Sequence, residues 1–105
     1  MADLAVLRNL QEAGDPLIKA RRVDHWLYFS TEVDLKRCKV ELKKQHYSIQ
    51  SSGKVQNTTL PFELHIWRID NVDIDSIYPI TARLRAIAKK YNGEYDGWET
   101  AVEKD

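Results

Sequence analysis

The sequence predicts one α+β domain in which two helices cover one face of a four-stranded antiparallel sheet. Three observations predict it. Segments with apolar residues at alternate positions and segments with apolar spacings of three and four follow one another as strand, helix, strand, strand, helix, strand. A length of 105 residues suits a single domain. Charged residues make up 30% and hydrophobic ones 43%, an ordinary globular balance with no repeat, low-complexity tract or linker to divide the chain.

A leading helix over residues 1–14 comes first. Asp3 is placed to cap it, Leu4, Leu7 and Leu10 recur at helical spacing, and Gly14 is a stop before the "GDP" turn at 14–16. "RRVDHWLYF" (21–29), rich in β-branched and aromatic residues, is the first strand. Ser30 or Thr31 opens the next helix, with Glu32 and Asp34 where the helix dipole favours anions and Leu35, Cys38 and Leu42 as its apolar stripe. "YSIQ" (47–50) is a short strand, and "SSGKVQNTT" (51–59) a polar hairpin loop. "LPFELHIWRI" (60–69) is the longest strand, with Pro61 tolerable only at its start. The second covering helix carries Ile77, Ile80, Leu84, Ile87 and Tyr91, and Asn92-Gly93 stops it. A last strand runs from about Glu94 to Val102. The core at 21–102 therefore has the split βαβ order of a ferredoxin-like sandwich, with the first and third strands central.

Composition excludes several function classes. Lys plus Arg equal Asp plus Glu at 16 each, so no overall field draws the chain to nucleic acid or anionic lipid. No apolar run reaches the roughly 20 residues of a membrane span. The N-terminus lacks the basic start and apolar middle of a signal peptide, and a single cysteine, Cys38, rules out an intramolecular disulfide framework. The expectation is a cytoplasmic protein.

The central strands carry the most functional information. Val23, His25, Leu27 and Phe29 share one face of the first strand, and Asp24, Trp26 and Tyr28 the other. In the third, Phe62, Leu64 and Ile66 oppose Glu63, His65, Trp67 and Ile69. The aliphatic sets belong under the helices, which leaves Trp26, Tyr28, His65 and Trp67 on the far side. Three readings of that aromatic face are open. The leading helix folds over it, a protein partner or second copy of the chain covers it, or RNA bases stack on it. The third strand lacks the Lys/Arg-Gly-aromatic-Gly-Phe signature of RNA-recognition sheets, and the neutral charge also counts against direct RNA binding.

No catalytic set, metal site or cofactor site emerges. Glu94, Asp96 and Glu99 are close in sequence, but strand alternation sets Glu94 and Asp96 opposite Glu99 at an edge, where acids discourage aggregation. His25, His46 and His65 are too dispersed to hold a metal ion. Cys38 sits on a core stripe. No glycine-rich phosphate loop or nucleophile with a neighbouring base is present. Lys36, Lys39 and Lys43 run along one helix, and Arg83, Arg85, Lys89 and Lys90 along the other, as solvated faces.

"VDHWLYF", the "ID" and "VDIDSI" around 69–77, and above all "KKYNGEYDGWET" resemble the regulator of ribonuclease activity B family, the RraB-type ribonuclease E inhibitors. The similarity runs from about Arg21 to Val102. It implies the ferredoxin-like fold and a non-catalytic protein, since family members of known function bind ribonuclease E beyond its catalytic part and restrain RNA cleavage. The better-known inhibitors are acidic, as suits a basic, arginine-rich target; this chain is neutral and ends "VEKD" without an acidic tail. The expected partner is a ribonuclease or its scaffold region.

The final stretch "NGEYDGWETAV" completes the expected interaction surface. Simple alternation puts Asp96 and Trp98 on one face and Tyr95 and Glu99 on the other; a bulge at Gly97 would break that pattern. One aromatic belongs to the core and the other to a recognition edge. The surface expected from sequence thus comprises Trp26, Tyr28, His65 and Trp67, with Glu94, Asp96 and Trp98 at the edge. A homodimer through this surface is a further expectation.

Overall fold

The computed structural model describes residues 3–55 and 57–103. Met1 and Ala2 of the leading helix, Gln56 of the polar loop, and the last two residues, assigned to a non-acidic end, lie outside the described residues. The elements are α1 (Asp3–Glu12), β1 (Arg21–Phe29), α2 (Glu32–Lys44), β2 (Ser48–Lys54), β3 (Phe62–Asp70), α3 (Ile74–Lys90) and β4 (Gly93–Thr100). The sheet order is β2-β3-β1-β4 with every pairing antiparallel. This is the ferredoxin-like arrangement, with β1 and β3 central.

Local chemistry sets the helix ends. Thr31 caps α2 by accepting from the Asp34 amide, and Asp73 caps α3 by accepting from that of Ser76. His46 and Asn92, at φ 70° and 58°, take the left-handed turns that leave α2 and α3. The stop after α3 thus falls on Asn92. Gly93 is required for a different reason: a Cβ there would lie 2.4 Å from the Tyr28 carbonyl oxygen, so its hydrogen lets β4 close on β1. The second strand is longer than its sequence suggests and continues to Lys54, because the Val55 amide bonds the Pro61 carbonyl (2.9 Å) and zips up the residues read as loop.

The main core lies between sheet and helices. Leu27, Phe29, Leu64 and Ile66 pack against Leu35, Cys38, Leu42, Leu84, Ile87 and Ala88. A second cluster joins Leu7 and Leu10 of α1 to Val23, Val72, Ile77 and Trp98. Val23 and Trp98 face the same side of the sheet as Leu27, so α1 extends the helix layer beside α3. It does not fold over the aromatic face. The buried Asp3 carboxylate fixes α1 there, accepting from Trp98 Nε1 (3.0 Å) and Thr81 Oγ1.

Candidate functional site

With the helices of the described residues all on one side, the other side of the sheet is left open. Cross-strand register identifies the residues on it. Arg22 pairs with Ile69, Asp24 with Trp67 and Glu99, Trp26 with His65 and Gly97, and Tyr28 with Glu63 and Glu94. Trp26, Tyr28, His65 and Trp67 therefore form one half-buried aromatic platform, as alternation predicts.

Bulges shape its margins. In β4 the register passes from Trp26↔Gly97 to Leu27↔Tyr95, which leaves Asp96 as an extra residue. Gly97, at φ 143°, supplies the backbone conformation this needs. The shift corrects two expectations. Tyr95 and Trp98 both turn inward, opposite Leu27 and His25. Trp98, expected at the recognition edge, is only 5% exposed and belongs to the second core cluster, so it is not on the open face. Glu94 and Glu99, expected on opposite faces, both stand on the open side opposite Tyr28 and Asp24. Asp96 joins Glu94 beside Tyr28 around a depression of about 280 Å³. A second bulge in β2, after Ile49, frees Gln50 to reach Arg22.

The platform is held by specific contacts. His65 stacks on Trp26 with centroids 4.3 Å apart and planes at 25°. Its Nε2 is 3.7 Å from Asp24 Oδ1, too far for a hydrogen bond. Arg22 lies over Trp67, its Cζ 4.5 Å from the ring centroid, while its Nε donates to Asp24 Oδ1 (2.8 Å). Tyr28 donates to Glu63 Oε2 (2.9 Å). Burial, that hydrogen bond and the charges of Glu63 and Asp96 push the Tyr28 hydroxyl up to about 12, so it stays a donor across the neutral range. A shallow depression of about 450 Å³ adjoins Trp26, lined also by Arg22, Asp24, Glu99, Thr100 and Ala101. An apolar groove of about 480 Å³ on the other layer, between α1 and the start of α3, includes Leu4, Ile18 and Ile74 but none of these groups.

Sequence reasoning placed Asp24 and Glu63 on the same faces as the aromatics but left them, with Arg22 and Glu99, out of the expected surface. Alternation alone gives the signal for Asp24 and Glu63, which share faces with Trp26 and His65; Glu99 could not be placed without the bulge. The face thus bears five carboxylates, Asp24, Glu63, Glu94, Asp96 and Glu99, against one guanidinium.

The other candidates fall elsewhere. His25 is wholly buried between Tyr47 and Tyr95, its Nδ1 2.7 Å from the Tyr95 hydroxyl. Burial and the Arg68 charge lower its pKa to about 3. Cys38 is buried, and burial pushes its thiol up to about 12, the behaviour of packed core. Among the described residues no group of three or more His, Cys, Asp or Glu is placed to hold a metal ion, and no helix is long and apolar enough to cross a membrane.

An aromatic sheet face rimmed by acids has the chemistry of a binding surface. A comparison with curated protein sequences returns no match. The family model described as "Regulator of ribonuclease activity B" matches residues 1–100, nearly the whole length, and the chain belongs to that family.

Proposed function

We propose that this chain is a non-catalytic, cytoplasmic regulator that docks on a ribonuclease E-type endonuclease, or on its scaffold region, through the open sheet face and restrains RNA cleavage. Family membership supports the regulatory role. The observation that carries the choice of surface is the side taken by α1. A helix that could have shielded Trp26 and Trp67 packs instead on Val23 and Trp98, and leaves the platform uncovered.

The partner is a protein rather than bare RNA. Single-stranded RNA would stack on the same aromatics, but the five carboxylates around them repel phosphate. Tryptophan emission should therefore stay unchanged when single-stranded RNA is added at low salt; a salt-sensitive change would favour direct RNA binding.

The main test is cleavage of a labelled RNA by purified ribonuclease E with and without this protein. Cleavage should slow as a complex forms, and Trp67→Ala should weaken that complex by roughly 2 kcal/mol or more, the loss typical of an aromatic anchor. Unchanged cleavage at large excess, with no complex by sedimentation, would reject the proposal.

A further inference from the structure

The open face already seats one guanidinium, its own. Arg22 has the Trp67 ring beneath it, the Asp24 carboxylate at its edge and Gln50 Oε1 3.1 Å from Nη2. A flat aromatic surface plus an in-plane acceptor suits a planar, weakly hydrated cation and favours arginine over lysine.

The same pairing occurs twice more along β1. The Trp26 ring is stacked on His65 and also lines the depression bounded by Asp24 and Glu99. Tyr28 adjoins the second depression, bounded by Glu94 and Asp96. Glu94, Asp96 and Glu99 form no ion pair among the described residues, so these carboxylates remain available to an incoming cation. The neutral total conceals this field. Helices α2 and α3 hold nine basic residues (Lys36, Arg37, Lys39, Lys43, Lys44, Arg83, Arg85, Lys89, Lys90) to four acidic ones (Glu32, Asp34, Glu41, Asp75), while the open face is acidic.

Trp26 and Tyr28 are two residues apart on a strand, which separates the two seats by roughly 6.6 Å. An extended peptide lying along β1 repeats its same-side side chains at that interval. We infer that the open face binds an extended basic segment lying along β1, with arginines at alternate positions entering the seats at Trp26 and Tyr28. This deepens the proposed function and rests on it for the identity of the macromolecule; the seat chemistry stands on the geometry alone.

The test uses the full chain and three synthetic peptides of equal net charge. One has arginines at alternate positions, the second has lysines at those positions, and the third has the same arginines adjacent to one another. Binding is read by tryptophan emission and calorimetry. The alternating-arginine peptide should bind roughly tenfold more tightly than the lysine peptide, the scale of a desolvated cation–π contact, and several-fold more tightly than the adjacent isomer. Glu94→Gln combined with Asp96→Asn, at exposed positions that leave the core intact, should lower the affinity several-fold. Equal binding of arginine and lysine peptides would reduce the face to a diffuse negative field and overturn the inference, as would indifference to arginine spacing. A protein that is dimeric alone, and becomes monomeric on Trp26→Ala, would assign the face to a second copy and also overturn it. A parent protein that inhibits the nuclease but binds none of the three peptides would overturn the seats and leave the proposed function standing. Peptide binding without any effect on RNA cleavage would uphold the seats and count against that function.

Discussion

Trp98 and Trp26 have different physical roles, and substitution should separate them. Trp98 is enclosed by Leu7, Val23, Val72 and Ile77 and donates to the buried Asp3. Trp98→Ala should lower unfolding free energy by about 3–5 kcal/mol, since it opens a cavity and leaves that carboxylate with one donor fewer. Trp26 is half-buried, with one side on His65, and Trp26→Ala should lower it by about 1 kcal/mol or less while weakening partner binding. Urea unfolding of the two variants checks this; equal losses would contradict the assignment of faces. The glycines divide similarly. Gly93→Ala places a methyl group 2.4 Å from the Tyr28 carbonyl and against the Phe29 ring, so about 2 kcal/mol or more should be lost. Gly97→Ala meets nothing within 4 Å, and only its φ of 143° resists substitution. The composition of the platform was legible from residue alternation. The fate of Trp98 was not, because a single extra residue in β4 reverses the facing of everything beyond it.

Elements with a strong period were legible, and those shaped by distant contacts were less so. The stripes Leu35-Cys38-Leu42 and Ile77-Leu84-Ile87 gave both covering helices and their inward faces, because burial of one side of a helix is written directly into spacing. "SSGK" in β2 reads as a turn because serine and glycine have poor strand propensity; pairing with β3 overrides that preference. The side taken by α1 was open for a similar reason. Its leucines fit any apolar surface, and the choice depends on Asp3, whose carboxylate finds its partners 78 and 95 residues away. Asp3→Ala should therefore act on the element as a whole. It leaves the Trp98 indole N–H and the Thr81 hydroxyl without that acceptor, at a cost of about 1–3 kcal/mol, and loosens α1 from α3. Trp98 emission should shift to the red at low urea, before global unfolding. The docking face lies on the opposite side of the sheet, so peptide and nuclease affinities should remain within about twofold of the parent protein, a small change in free energy.

At the scale of the molecule, the two faces of the sheet respond to pH differently, and the buried one sets stability. The covered face holds His25 in a cage of Tyr47, Tyr95 and aliphatic core, and there the charged imidazolium is disfavoured by burial and by the Arg68 guanidinium. Its pKa falls from 6.5 to about 3. Between those values the unfolded chain binds a proton that the folded protein refuses, so stability must decline as pH falls below 6.5, by about 1.4 kcal/mol per pH unit at most from this group. Asp15 adds to the acid-side loss only lower down. The Arg21 guanidinium against it holds its carboxyl well below the usual carboxylate range, so its contribution disappears as pH falls below the ordinary 3.8. On the alkaline side the sign reverses. Burial raises Cys38 and Tyr47 to about 12, so above pH 9 to 10 the unfolded chain releases protons that the folded protein keeps, and stability falls again. A plateau from about pH 6.5 to 9 follows, and His25 sets its acid edge. His25→Phe should keep the ring packing but cost about 1–2 kcal/mol at pH 7.5, because the Tyr95 hydroxyl loses its partner. Between pH 6.5 and 4 the variant should lose stability much more gradually than the parent, so the two curves should cross at about pH 5 to 6, and below the crossing the variant should be the more stable. Urea midpoints collected across that range decide it: parallel profiles would mean that another group controls the acid limb.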